Sequence, residues 1–259
     1  MTRWSLERYR TEIITQTDLL RTLLTAADPA ARVPTCPEWN LRHLLRHIGG
    51  VHRWIDTVVR TRATDEVPDT LVNEVFGYGD EDLAELGAWL GLGARRLTDV
   101  LAEAGPDARV WTVVPDQPLV FWARRALHET VVHRADAAWA VGARYDLDTE
   151  VALDALDEWM SFGSVPETYE NEGGEPLLGP GRSIGFLAGD DPAGSWRVDL
   201  SGEVPRWDRG AGETAVGVRG SLTDLVLFLY GRPVADRIEV RGDAGLLELW
   251  LRRSRFWLR

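Results

Sequence analysis

Apolar residues recur at helical spacing through the first part of the chain. From about Ser5 to Ala27, Leu6, Tyr9, Ile13, Leu20, Leu23 and Leu24 form an approximate helical stripe. The stretch "ADPAARVPTCPEW", with three prolines, breaks it. Asn40 suits the N-cap of a second helix, Leu41 to Arg60, on which Leu44, His47, Ile48, Val51, Ile55 and Val58 share one face. A segment with Pro68 and "GYGDED" follows, then a third helix from about Glu81 to Ala104, ended by "AGPD". "VWTVVPDQPLV" is an excursion between helices, and a fourth helix spans about Phe121 to Val141, stopping at Gly142. Four long helices predict an up-and-down four-helix bundle.

After a further helical stretch near Thr149 to Phe162, "VPETYENEGGEPLLGPGR" is rich in Pro, Gly and Glu and reads as a domain boundary. The expected division is a helical domain over 1–165, a linker over 166–179 and a second domain over 180–259. Beyond the linker come short β-type runs, "RSIGFLAG", "SWRVDLSG" and "ETAVGVRG", then a helix "SLTDLVLFLYG", then "RIEVRGD" and a last helical piece "AGLLELWLRR". Strands mixed with helices predict a small α+β domain, so the fold class is α followed by α+β. No internal repeat, heptad run or low-complexity tract is present.

Composition narrows the functional classes. The chain has 259 residues and a formal net charge of −12, a surface that repels nucleic acid and anionic membrane as main partners. No stretch reaches the roughly 18 consecutive apolar residues of a transmembrane helix, and "MTRWSLERYR" lacks the apolar core of a signal peptide, so a cytoplasmic location is expected. A monomer or weak homo-oligomer fits the acidic surface. With Cys36 as its single cysteine, the chain can form no internal disulfide and no four-cysteine metal site. All 29 basic residues are arginine, which suits recognition of acidic ligands. The 12 tryptophans read mainly as core or cleft walls.

Chemistry concentrates in "LHETVVHR", Leu127 to Arg134, close to the HExxH signature of zinc peptidases. In that signature the histidines are four apart and project within about 40° of each other. Here His128 and His133 are five apart, about 140° around a helix, and cannot share one ion. Glu129 and His133 are four apart and can. A third ligand must come from elsewhere. The chain's other histidines are His43, His47 and His52, and His47 lies on the apolar face of the second helix, pointing into the bundle. Two histidines and a carboxylate with open positions are the arrangement of catalytic zinc. The competing interpretation is a core-edge His47 and a Glu129 paired with Arg125.

The run "VPTCPEWNLRHLLRHIGGVHRW", with "RRALHETVVHRADAAWAVG" some way after it, resembles the mycothiol-dependent maleylpyruvate isomerase family. The resemblance extends over nearly the whole chain. It implies a DinB-like four-helix bundle carrying a divalent metal, usually zinc, followed by a small sterol-carrier-like α+β domain. The family's metal ligands map onto His47, Glu129 and His133. His52, after "GGV", is implied at the pocket mouth, near the cofactor, although a surface role competes. His43, one turn before His47, is a weaker candidate ligand, and His128 is expected to face away from the metal. Cys36 reads as a small packing residue. Asp136, three residues after His133, either orients a ligand histidine or pairs with Arg134's face.

In the resembled enzymes the thiol cosubstrate is mycothiol, whose sulfur adds to an electrophilic carbon. The implied function is therefore metal-dependent activation of mycothiol toward a small electrophile, as an isomerase or an S-transferase. An arginine from the C-terminal domain is expected to hold a substrate carboxylate in the cleft between domains, and Arg232 in "LYGRP" is the candidate, against a surface arginine favouring its helix's dipole. Two other classes stand beside this one. One is a hydrolase or lyase using zinc-bound water, and the other is a non-catalytic small-molecule-binding protein using the cleft.

Overall fold

The computed structural model describes residues 4–76, 81–170 and 174–255. The chain divides into two compact units, Met1–Tyr145 and Asp146–Arg259. Part of the "GYGDED" segment and of the Glu/Gly-rich stretch lies outside the described residues.

The first unit contains α1 (Leu6–Leu23), α2 (Leu41–Arg60), the short α3 (Thr70–Asn73), α4 (Leu83–Ala104) and α5 (Val120–Ala140). Side chains cap α1, α2 and α4 where the sequence changes character. Ser5 accepts from the Arg8 N–H and Asp82 from the Ala84 N–H. Asn40 and His43 form a reciprocal capping box at the start of α2: the Asn40 side chain accepts from the His43 N–H, and His43 Nδ1 accepts from the Asn40 N–H. The principal packing partners are α1 with α4 and α5, and α2 with α4 and α5. Consecutive long helices α1 and α2 therefore sit across a diagonal of the bundle, and α2 is a neighbour of α5.

Leu44, Leu45 and Ile48 of α2 are fully buried with Leu20, Leu41 and Leu90. Each such side chain contributes about 1.5–3 kcal/mol of burial. The α2–α4 contact is close enough to require glycine, since a Cβ on Gly49 would lie 2.0 Å from the Trp89 ring. Arg53 spans the same seam, donating to the Gly49 and Trp89 carbonyls with its guanidinium 3.5 Å from the Trp89 ring centroid. Helix α5 is buried on almost every side, including its polar residues Arg124, Arg125, His128, Thr130, Arg134 and Asp136.

The second unit begins earlier than composition implies. Helix α6 (Thr149–Phe162), expected with the first domain, groups with the C-terminal unit, and so does α7 (Pro166–Tyr169), which lies in the expected linker. The reason is where α6 finds partners. Trp159 packs against Tyr230 at 4.7 Å between ring centroids, and Asp157 accepts from Trp196 Nε1 and from Arg209 Nε. Thr168 and Leu177 are also fully buried, so the Pro- and Gly-rich stretch carries structural contacts.

The unit's strands are β1 (Ser183–Ala188), β2 (Ser195–Asp199), β3 (Arg206–Arg209), β4 (Val216–Gly220) and β5 (Glu239–Gly242), in sheet order β3-β2-β1-β4-β5. β1 and β4 run parallel, and the other pairs are antiparallel. Ile184, Phe186, Trp196, Val198, Val216 and Val218 alternate onto the buried face, as period-two patterning requires. Helices α8 (Leu222–Leu229) and α9 (Ala244–Ser254) pack on this sheet, with Phe186 5.5 Å from Trp250 between ring centroids. The expected α followed by α+β architecture is what the chain forms.

Candidate metal centre

Helices α2 and α5 bring His47, Glu129 and His133 together. Among the described residues these form a group with metal-ligand chemistry, their donor atoms all within 4.8 Å of one another. The i,i+4 spacing on α5 sets His133 Nε2 3.6 Å from Glu129 Oε2. A tetrahedral zinc ion with bonds of about 2.1 Å would place its ligands about 3.4 Å apart, so less than about 1.5 Å of closure completes the group.

The second nitrogen of each histidine is already engaged. His47 Nδ1 is 3.0 Å from the Val72 carbonyl oxygen, beside α3, and His133 Nδ1 is 2.8 Å from Asp136 Oδ2. A carbonyl and an ionised carboxylate can only accept, so both rings donate through Nδ1–H, and a neutral imidazole so bonded carries its lone pair on Nε2. Asp136 is fully buried, and its Oδ1 accepts from the Thr35 hydroxyl at 2.7 Å. Glu129 is held by Arg125, one turn earlier and itself buried. Burial opposes ionisation of Glu129, but the charges of Arg125, His133 and His47, with the Arg125 hydrogen bond, bring its pKa below the usual carboxylate value.

Trp39 borders the group, its ring centroid 5.0 Å from that of His47 and 6.1 Å from that of His133, and the two imidazoles meet edge to face at 4.8 Å. The loop carrying Trp39 and Thr35 is closed at its base by the bridge between Arg32 and Asn40. The donor set of two imidazoles and one carboxylate fits zinc or another borderline divalent ion.

Other candidates fall elsewhere. His43 serves the α2 capping box and packs against Phe76, 4.8 Å between ring centroids. His52 does not lie at a pocket mouth or on the surface. It is fully buried, with Nε2 3.0 Å from Thr130 Oγ1, because its helical position faces the α2–α5 seam. The Thr130 hydroxyl donates to the Ala126 carbonyl, so His52 donates through Nε2–H, and burial followed by the Arg53 charge lowers its pKa to about 3. His128 is fully buried outside the ligand group, and Cys36 packs against the bundle core. Arg232 follows α8 in the second unit and donates through Nη1 to the Tyr230 carbonyl at 2.8 Å. Thr35 and Trp39 are contacts that helix periodicity could not supply, because both sit in a proline-rich loop. A cavity of about 760 Å³ lined by Ala63, Thr64 and residues 106–112 and 115–118 contains none of the candidate ligands.

A bundle that presents two histidines and a glutamate from neighbouring helices, followed by a small α+β unit, brings together a group that could hold a divalent ion. Residues 10–138 match the family model described as "Mycothiol maleylpyruvate isomerase N-terminal domain". Through that domain the chain belongs to the mycothiol maleylpyruvate isomerase family. The chain is also similar in fold to the crystal structure of the mycothiol-dependent maleylpyruvate isomerase, with 21% identity, a TM-score of 0.61, and 93% of this chain and 95% of that one covered. A histidine-to-alanine mutant under the same name gives 21% identity and a TM-score of 0.60 over 93% and 95% of the two chains. No curated protein is a significant sequence match. No described helix is long and apolar enough to cross a membrane.

Proposed function

We propose that this protein is a metal-dependent enzyme that activates a thiol, mycothiol, for addition to an electrophilic small molecule, as an isomerase or an S-transferase. The observation that carries the reading is the convergence of His47, Glu129 and His133, with Nδ1 of both imidazoles placed against acceptors. A divalent ion bound there would lower the pKa of an added thiol and supply a thiolate near neutral pH. The three residues would supply three ligands to the ion, and a cosubstrate would supply a further one. Trp39 gives the site an aromatic wall. Family membership, and the solved relative's printed dependence on mycothiol, favour a thiol over water as the group activated.

Arg232 is the proposed holder of a substrate carboxylate, as a bidentate partner. Arg232→Gln is expected to raise KM for a carboxylate substrate about tenfold, the value of one lost charge-assisted contact, and to leave KM for an uncharged electrophile in place.

The direct test measures metal content of chelator-free protein and then turnover of a panel of electrophiles with and without mycothiol. About one equivalent of metal and strict thiol dependence are expected. Turnover unchanged without thiol would instead identify a hydrolase or lyase using metal-bound water. Protein with well under one equivalent, and no response of ligand binding to His47→Ala, would leave a non-catalytic binding protein.

A further inference from the structure

The three candidate ligands are supported by partners of different charge. His47 leans on a neutral backbone carbonyl, Val72, beside the four-residue α3. Glu129 is held by the cation Arg125. His133 is backed by a carboxylate, Asp136, which is fully buried. A buried carboxylate loses several kcal/mol of hydration, so its position must be compensated by donors aimed at it. Two such donors come from opposite ends of the bundle sequence: His133 Nδ1–H at 2.8 Å, and the Thr35 hydroxyl at 2.7 Å.

We propose that Asp136, held in place by Thr35, is a positioning residue for the metal that acts through His133. This rests on His47, Glu129 and His133 being the ligands. The carboxylate permits one tautomer and one ring plane for His133, with Nε2 aimed at Glu129 Oε2. Its negative charge also makes Nε2 a stronger donor to a cation than a carbonyl partner can. Thr35 occupies the second carboxylate oxygen, so Asp136 is fixed by bonds on both sides before any ion arrives.

The experiment uses the full chain stripped of metal and titrated with Zn2+ in competition with a chromophoric chelator, and with Co2+ followed by visible absorption. Asp136→Asn keeps the shape and removes the charge, and its metal affinity is expected to fall roughly 10- to 100-fold with an altered Co2+ spectrum. Thr35→Val should lose a few-fold, about what one neutral hydrogen bond supports. Melting of the metal-free proteins separates this from a purely structural tie between loop and helix, which would lower the melting temperature but leave affinity per folded molecule and the Co2+ spectrum unchanged. Asp136→Asn binding within about twofold of the unmodified chain would overturn the proposal. If Asp136→Ala fails to fold, Asp136→Asn decides. An unmodified chain that takes up no metal would sink both this inference and the enzymatic reading, whereas normal uptake with an indifferent Asp136 sinks this inference alone.

Discussion

Helices α2 and α5 each supply a histidine to the candidate centre, yet they are built on opposite plans. α2 has an apolar inner face and an outer one carrying arginines such as Arg42 and Arg60, so an inward polar residue stands out against its neighbours. α5 has almost no outer face, and seven of its buried residues are polar or charged. Along α2 polarity reports exposure. Along α5 it reports partnership, because a buried polar group must be paired to be tolerated. Arg134 donates to Gln16 on α1, His133 and Asp136 pair with each other, and Arg125 holds Glu129. A polar residue within a helix buried all round is therefore interpreted by what it touches and not by its place in a period.

The sharpest way to break this contrast is to delete polar groups from both helices and measure metal uptake. Glu129→Ala and His133→Ala should each lose more than about 100-fold in affinity, beyond the range of changes to outer partners. His128→Ala on α5 and His52→Leu on α2, both fully buried but outside the ligand group, should stay within a few-fold. An equal loss in His128→Ala would mean that the facing of α5 is misassigned.

The second effect is on stability against pH. With the His52 pKa lowered from 6.5 to about 3 in the folded chain, the unfolded chain takes up a proton there that the native state refuses. The stabilisation is complete above about pH 6.5 and is lost progressively as pH falls toward 3. Denaturation of the metal-free protein between pH 7 and pH 5 should show this decline, and His52→Leu should flatten it. An identical slope in the variant would remove His52 as its source.

Smaller again is the packing of the α2–α4 seam. Gly49→Ala drives a methyl into the Trp89 ring and should cost about 1–3 kcal/mol by urea denaturation. A cost below about 0.5 kcal/mol would mean that the tryptophan relocates freely. Smallest is Cys36→Ala, whose thiol-dependent turnover should stay within about twofold of the unmodified chain, because in the proposed reaction the nucleophile would be the added thiol. A loss of turnover there would make Cys36 a participant.

Where one face of an element is apolar, the sequence was enough. α2 is legible as Leu41–Arg60 and α6 as Thr149–Phe162, and Glu129 with His133 follows from the helical period. β3 was not legible, since "RWDR" has no apolar alternation and exists through its pairing with β2 and the Arg209–Asp157 ion pair. The ownership of α6 was hidden because composition marks where a chain bends, whereas a unit is defined by which core receives the helix. His52 sits on the apolar side of α2 as the pattern allows, but its partner Thr130 is 78 residues away. Thr35 and Asp136 are 101 residues apart, and no local signal joins them.

The separation of the ligands along the chain has its own consequence. His47 precedes Glu129 by roughly 80 residues, so an ion that bound both would close a long loop much as a covalent staple does. During synthesis the first histidine would leave the ribosome well before α5 exists to meet it. Only a chain translated through His133 could take up the ion in full coordination, which would place metal loading late in maturation. A protein starved of metal would then loosen first along the α2–α5 seam, and limited proteolysis there would report loading before any assay of turnover.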